Sequence, residues 1–166
     1  MPRILDGKKI AQNLKDQLKI EIENIKIKSN RVPGLAVIQV GNVAASSVYV
    51  KAKTKAAKEV GIDVIDHHLV ESVNQDDLIN LINQLNNNDD VNGILVQLPL
   101  PKTINEEVVL NSIAPEKDAD GFHPLNVGKL SISLKNDENL LIPCTCLLYT
   151  SPSPRDVEES RMPSSA

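Results

Sequence analysis

Three short apolar segments, separated by stretches with helical periodicity, limit most strongly what this chain can fold into. Residues 35–40 are an apolar run rich in β-branched side chains, and residues 63–70 and 93–97 are two further candidate strands. Continuous apolar runs are typical of strands that helices cover on both faces. Because helices and strands alternate, the sequence predicts an α/β fold: a three-layer domain with a mostly parallel sheet flanked by helices.

Two long helices are predicted before the second strand. The first runs from Asp6 to about Lys26. Its apolar residues form a stripe of the kind that an amphipathic helix packs against a core: Ile10, Leu14, Leu18, Ile22 and Ile25. The second follows the first strand and closes at Gly61, a residue that can take the positive φ favoured just past a helix end.

Two later helices are predicted from their capping residues. Asn74 is expected to cap a helix with apolar positions at Leu78, Leu81, Ile82 and Leu85. The asparagine-rich stretch 86–90 is expected to follow it as a solvated turn. Thr103 and Glu106 have the spacing of a capping box, which predicts a short helix to about Ile113, with Pro115 as its stop.

The composition excludes several classes of protein. With 18 basic and 22 acidic residues the net charge is -4, and aromatic residues make up 2%, so we predict no nucleic-acid partner. The sequence shows neither a signal peptide nor an apolar run that could span a bilayer, which predicts a cytoplasmic protein without a membrane partner. Cys144 and Cys146 are too few for a disulfide framework, and with only three histidines beside them we predict no metal site.

Candidate ligand-binding residues follow the strands, because ligands of parallel sheets sit beyond the carboxyl ends of the strands. Tyr49 and Lys53 lie four residues apart in the second helix and therefore share one face. Tyr49 offers a ring that can stack on a planar ligand, and Lys53 offers an amine that exchanges protons when it is partly buried. The alternative is that Tyr49 fills a gap in the core and that Lys53 is solvated.

Two further segments carry candidate polar groups. Gln97 ends the third strand, and the prolines of residues 98–101 predict a stiff, extended rim after it. The Gln97 amide is expected to bond a neighbouring side chain or a substrate, or alternatively the backbone. Asp118 and Asp120 share a loop. Asp120 is expected to accept paired hydrogen bonds from an amidine-like edge of a ligand, such as a 2-amino-pyrimidinone ring. The alternative is that Asp120 only shapes an Asp-Gly turn. His123 is expected to pack or cap this loop.

Four stretches occur in a specific order. They are Ser46-x-x-Tyr49-x-x-x-Lys53, the GILVQLPLP sequence of residues 93–101, Pro115-x-Lys117-Asp118-x-Asp120-Gly121-Phe122-His123-Pro124, and Pro143-Cys144-Thr145. This pattern resembles the bifunctional methylenetetrahydrofolate dehydrogenase/methenyltetrahydrofolate cyclohydrolase family of the FolD type, from about Arg3 to Thr145. The resemblance implies NADP-dependent oxidation of 5,10-methylenetetrahydrofolate and hydrolysis of the product to 10-formyltetrahydrofolate. It also implies a homodimer for full-length members.

The resemblance assigns roles to individual residues. It makes Lys53 the central catalytic group at the one-carbon bridge, with Gln97 bonded to Lys53 to tune its charge. It places Tyr49 against the folate ring system and Asp120 at the pterin edge, with Leu98 and Pro99 as further substrate-binding residues. Ser46, Cys144 and Thr145 are expected near the cofactor.

A positive cluster surrounds the candidate lysine. Lys51, Lys55 and Lys58 accompany Lys53 in an otherwise acidic protein. The cluster is expected to attract the glutamate tail of the substrate, although a solvated helix face explains the outer three lysines equally well.

The family pattern breaks at Cys146, where the family continues with proline. Residues 147–166 are polar and rich in Ser and Pro, so they cannot bury a core. We therefore expect a folate-binding catalytic domain at residues 1–146 and a tail at 147–166 that is disordered or foreign to the family. The seven glycines are never closer than seven positions, so no G-x-G-x-x-G turn occurs, and the dinucleotide-binding domain and the dehydrogenase step are not expected in this chain.

Two alternatives to a folate enzyme come from other classes. One is a non-catalytic folate-binding or dimerisation module. The other is a short-chain dehydrogenase, which also uses a Tyr-x-x-x-Lys pair. That family needs a glycine-rich turn after its first strand, and Gly7 is the only glycine before Gly34, which disfavours this alternative.

Overall fold

The described part of the chain comprises residues 6–42, 44–132, 141 and 143 of a computed structural model. Helices and strands alternate along it, which confirms the predicted α/β class: α1 (Gly7–Ser29), β1 (Gly34–Val40), α2 (Ala44–Val60), β2 (Asp63–Leu69), α3 (Gln75–Asn86), β3 (Gly93–Val96), α4 (Glu106–Ser112) and α5 (Pro124–Ile132). The chain forms two compact units, Met1–Ala119 and Asp120–Ala166. The predicted boundary at Cys146, the tail at 147–166, Cys144 and Thr145 lie outside the described residues.

β1 lies at the centre of a three-stranded sheet with the order β2-β1-β3. Both of its neighbours run parallel to it, and the register pairs Gly34 with Asp63 on one side and Leu35 with Gly93 on the other. Side chains alternate between the two faces of a strand. Ala36 and Ile38 therefore face one helix layer, which contains α3 and α4, while Val37 and Gln39 face the layer of α2. The predicted parallel sheet flanked by helices is confirmed.

The main apolar core lies between the sheet and the layer of α3 and α4. Its buried members are Ala36, Ile38, Val40, Leu78, Ile82, Leu85, Val91, Ile94, Val96, Leu100, Ile104, Val109 and Ile113. The predicted apolar positions of α3 are confirmed, because three of them are buried and Leu81 packs against the cluster. Asn74 caps this helix as predicted: its Oδ1 accepts a hydrogen bond from the backbone N–H of Asp77 at 2.7 Å.

α1 confirms the predicted helix but corrects the predicted burial of its stripe. Ile22 is buried, whereas the other four members of the stripe are 37–56% exposed. α1 contacts α2 through an ion pair between Lys15 and Glu59 at 2.8 Å, and residues 7–14 of α1 are all exposed. A stripe is buried only where a second element supplies facing side chains. No helix in the described ranges is long and apolar enough to cross a bilayer.

The start of α4 and the stretch after α3 differ from prediction. Asn105, not Thr103, caps α4, because its Oδ1 accepts from the N–H of Val108 at 3.2 Å. Glu106 instead accepts a hydrogen bond from the N–H of Leu100 at 2.8 Å, so the predicted capping box is wrong. The asparagine stretch is more than a solvated turn, since half-buried Asn86 donates to the carbonyl of Ser112 at 2.8 Å and joins α3 to the end of α4.

Candidate active site

The strand order places one crevice at the carboxyl edge of the sheet. In parallel sheets of order 2-1-3, the connections from neighbouring strands diverge between β1 and β3, and ligands bind at that point. β1 leads through Gly41, whose φ is 72°, into α2. β3 leads into Gln97, whose backbone N–H still donates to the carbonyl of Ile38 in β1 at 2.8 Å. The fold therefore brings the two predicted segments, α2 and residues 97–100, to the same edge.

Lys53 stands in the stripe through which α2 packs on the sheet. The buried residues of this stripe are Ser46, Ala57 and Val60. They lie seven, four and seven residues from Lys53, and such spacings place residues on the same face of a helix. The Lys53 side chain is nevertheless exposed, so the expected burial of its amine is wrong for this chain. A long lysine stem can extend past a packed contact, so a lysine on a packing face can still be exposed.

Tyr49 lies one turn before Lys53 and is 65% exposed. The alternative in which its ring fills a gap in the core is therefore wrong. An exposed ring at the edge of a parallel sheet has a free face on which a planar ligand can stack.

Gln97 carries an acceptor without a partner. Its Nε2 donates to the carbonyl of Leu98 at 2.7 Å, whereas its Oε1 is buried and has no hydrogen-bond partner within the described residues. The expected bond from Gln97 to Lys53 is thus not formed in this structure. A buried amide oxygen without a partner costs free energy, so it indicates a place where a ligand or protein donor belongs.

The rim after Gln97 is held in place by α4. The N–H of Leu100 donates to the Glu106 carboxylate at 2.8 Å, and Leu100 itself is buried. Leu98 packs against the core and Pro99 is exposed, with a cis peptide bond between them. Of the two substrate-binding residues predicted in this rim, Pro99 is therefore the more exposed.

Lys117 has a structural role that the sequence did not reveal. Its Nζ donates to the carbonyls of Leu85, Asn86 and Asn88 at 3.2, 2.7 and 2.8 Å, where α3 ends. The last carbonyls of a helix have no partner within it, and a lysine is favoured there by the helix dipole. The next residue, Asp118, is buried and forms a parallel bridge with Ile94 of β3. Lys117 therefore anchors the segment around residues 115–118 to the end of α3.

A second missed group lies at the end of β1. Gln39 is buried, and its Nε2 donates to Ser47 Oγ of α2 at 2.8 Å and to the carbonyl of Gly41 at 3.3 Å. The signal was present in the sequence, because Gln39 is the polar member of the apolar run 35–40. A glutamine in a buried strand needs partners, and these partners lie where β1 leads into α2.

Asp120 belongs to the second compact unit, where it is half-buried. Gly121 follows with φ of 70°, and a Cβ there would approach Leu141 and Pro143 to 2.9 Å, so the turn requires glycine. His123 lies where this loop meets α5, and its Nδ1 accepts a hydrogen bond from the N–H of Leu125 at 3.1 Å, so it caps the start of that helix, which the sequence did not predict.

The outer lysines lie apart from Lys53. Lys51, Lys55 and Lys58 line a groove of about 830 Å³ between α2 and β2, which we call the β2-side groove. Lys58 is 3.6 Å from the carboxylate of Asp66, and Lys55 is 4.0 Å from that of Glu59. The four lysines therefore do not form one cluster: three line this groove, and Lys53 projects from the stripe that packs on the sheet.

These features define the class of protein. Residues 5–120 match the family described as tetrahydrofolate dehydrogenase/cyclohydrolase, catalytic domain, and the chain belongs to this family.

Relatives agree with this family along most of the chain. The bifunctional protein FolD of Acetivibrio thermocellus is 52% identical over 143 residues, which are 86% of this chain and 48% of the relative. A crystal structure of the bifunctional enzyme FolD from Campylobacter jejuni superimposes with a TM-score of 0.80 at 46% identity, over 86% of this chain and 49% of the other. The crystal structure of the Trypanosoma brucei enzyme (FolD), complexed with NADP cofactor and inhibitor, superimposes with a TM-score of 0.82 at 35% identity. The match covers 90% of this chain and 50% of the other. The chain spans about half the length of the curated relatives it matches.

Proposed function

We propose that this chain is the folate-binding, catalytic part of a FolD-type enzyme and that it hydrolyses 5,10-methenyltetrahydrofolate to 10-formyltetrahydrofolate. One observation carries the proposal. Tyr49 and Lys53 of α2 follow β1, and Gln97, whose buried Oε1 has no partner among the described residues, follows β3, so a ring, an amine and an amide acceptor flank one ligand-binding edge.

The chemistry needs a group that moves protons. Water adds to the one-carbon bridge, a new C–O bond forms, the bond from that carbon to N5 breaks, and the formyl group stays on N10. Both protons leave the oxygen of the water as it becomes the formyl oxygen: N5 takes up one proton, and the other is released to solvent. The Lys53 amine is suited to exchange these protons once substrate covers it, because burial favours its neutral form. Gln97 Oε1 then accepts a hydrogen bond from the amine or from the substrate, and Tyr49 stacks on the folate.

Asp120 and the cofactor-proximal residues extend the proposal. An Asp120 carboxylate would accept two hydrogen bonds from the pterin edge, which rests on the signature around Lys117 and Gly121. Proximity of Ser46, Cys144 and Thr145 to a cofactor remains a prediction from resemblance. So do the homodimer and the cytoplasmic location.

NADP does not fit the residues present. Its pyrophosphate needs a glycine-rich turn at a helix amino terminus, and the turn from β1 into α2 holds one glycine, Gly41, followed by Asn42. No G-x-G-x-x-G sequence occurs in the 166 residues. We therefore assign no hydride-transfer step to this chain, and the oxidation of 5,10-methylenetetrahydrofolate is proposed for family members that carry such a site.

The proposal is tested by following the loss of absorbance of 5,10-methenyltetrahydrofolate. Wild-type chain should hydrolyse it faster than buffer, and Lys53→Ala should lower kcat by at least about a hundredfold, the usual contribution of a general acid or base. Lys53→Arg keeps the charge but exchanges protons poorly at neutral pH, so it should be nearly as slow. Lys9→Ala, an exposed lysine in the first turn of α1, is the matched control. Full activity of Lys53→Ala would contradict the proposal.

A non-catalytic folate-binding module is the second candidate. The observation that favours it is the exposure of Lys53, since catalytic lysines are typically enclosed by their site. Equilibrium binding of tetrahydrofolate separates the two. The module predicts binding without turnover, whereas the enzyme predicts that Lys53→Ala retains binding and loses turnover.

A further inference from the structure

Gln39 is a buried amide at the centre of the sheet. It is 5% exposed, and β1 is hydrogen-bonded to a strand on each side. A primary amide in such a place destabilises the fold unless its hydrogen bonds are made. Gln39 makes them at the junction of β1 and α2, because Nε2 reaches Ser47 Oγ at 2.8 Å and the carbonyl of Gly41 at 3.3 Å, and both Gln39 and Ser47 line the β2-side groove.

These bonds tie three segments together. Gly41 forms the turn after β1, and Ser47 lies near the start of α2. Ser47 Oγ in turn donates to Asn42 Oδ1 at 3.2 Å. The amide thus fixes the end of the strand, the turn and the opening of the helix against one another. Tyr49 and Lys53 follow Ser47 by two and six residues on the same rigid helix.

We propose that Gln39 is a positioning residue that acts on Lys53 and Tyr49 through Ser47. The inference rests on the proposed function for its chemical consequence, while the anchoring of α2 stands on the contacts alone. A helix that is free to shift at its first turns displaces every side chain it carries, and a displacement of about 1 Å at reacting groups can cost up to about a hundredfold in rate. Gln39 therefore affects turnover without touching the substrate.

The anchoring is tested by amide hydrogen exchange along α2 without ligand. Gln39→Met, which keeps the length of the side chain, and Ser47→Ala should each speed exchange at residues 47–53 by about fivefold, as expected for one lost hydrogen bond. The double variant should speed exchange by less than the product of the two single effects, because both variants remove the bond between Gln39 and Ser47 and each removes only one further bond of its own. Gln75→Met is the matched control, since Gln75 Oε1 accepts from the N–H of Asn105 at 2.8 Å, away from α2. Unchanged exchange in Gln39→Met would overturn the proposal.

The chemical consequence is tested on 5,10-methenyltetrahydrofolate. Gln39→Met and Ser47→Ala should lower kcat/KM by about fivefold, in step with the lost bond, and Ser47→Thr should restore it because the hydroxyl remains. Faster exchange with unchanged kcat/KM would show a purely structural role and overturn the positioning role. If the wild-type chain itself lacks turnover, the proposed function fails, the positioning role falls with it, and exchange alone decides the anchoring of α2.

Discussion

The two faces of the sheet in the first compact unit are packed very differently. On the side of α3 and α4, Leu78, Ile82 and Val109 are completely buried. On the side of α1 and α2, Ile10 and Leu14 are each 56% exposed, although they recur with the same helical spacing as the buried residues. An apolar stripe therefore specifies a helix, but burial of the stripe depends on the element that faces it. The candidate site lies on the less completely packed side, where Lys53 and Tyr49 also stay exposed.

The largest expected effect is in the packed layer. Ile82→Ala should lower the free energy of unfolding by about 2–5 kcal/mol, because it leaves a cavity among fully buried neighbours. Leu14→Ala on α1 removes a similar side chain from solvent and should change the free energy of unfolding by less than about 0.5 kcal/mol. Urea unfolding of both variants measures the difference. Equal destabilisation would show that α1 is covered in solution and would break the comparison.

The next effect concerns the anchor of the signature loop. Lys117→Met keeps the apolar stem and removes the donors to the carbonyls of Leu85, Asn86 and Asn88. We expect a loss of about 1–3 kcal/mol in the free energy of unfolding, since these carbonyls lose a charged partner. Lys102→Met, at an exposed lysine in a turn, serves as the control. A loss no larger than that of the control would mean that Lys117 does not hold α3.

The smallest effect concerns the ion pair between α1 and α2. The hydrogen bond from Lys15, followed by its charge, lowers the pKa of Glu59 below its ordinary value of 4.5. A lowered pKa contributes stability above pH 4.5, which is lost as the pH falls through the folded-state pKa. Lys15→Met should therefore lower Tm slightly at pH 7 and leave it unchanged at pH 2. A Tm difference that persists at pH 2 would assign the effect to packing instead.

The sequence was most informative where local chemistry decides structure. Asn74 capped α3 as predicted, because an asparagine side chain competes for the first free N–H groups of a helix wherever it stands. Gly61 followed α2 with φ of 96°, a conformation that other residues rarely adopt. The parallel sheet followed from alternating helices and apolar runs.

What the sequence did not reveal depends on contacts between distant segments. Glu106 has the spacing of a capping box, yet it accepts a hydrogen bond from Leu100, which only the folded rim brings near. Lys117 reaches carbonyls about thirty residues earlier in the chain, with sequence separations from 29 to 32. The exposure of Lys53 likewise depends on what covers α2. Spacing within one helix shows which residues share a face, but it does not show which other elements that face contacts.

The most direct test of the account is a crystal structure of this chain with 10-formyltetrahydrofolate or a close analogue bound. α2 offers the ligand two different flanks, the stripe of Lys53 and the β2-side groove with Lys51, Lys55 and Lys58. The account predicts folate at the carboxyl edge between β1 and β3, stacked on Tyr49, with Lys53 Nζ and Gln97 Oε1 directed at the one-carbon unit. Folate bound in the β2-side groove, with Lys53 Nζ remote from the one-carbon unit, would contradict it.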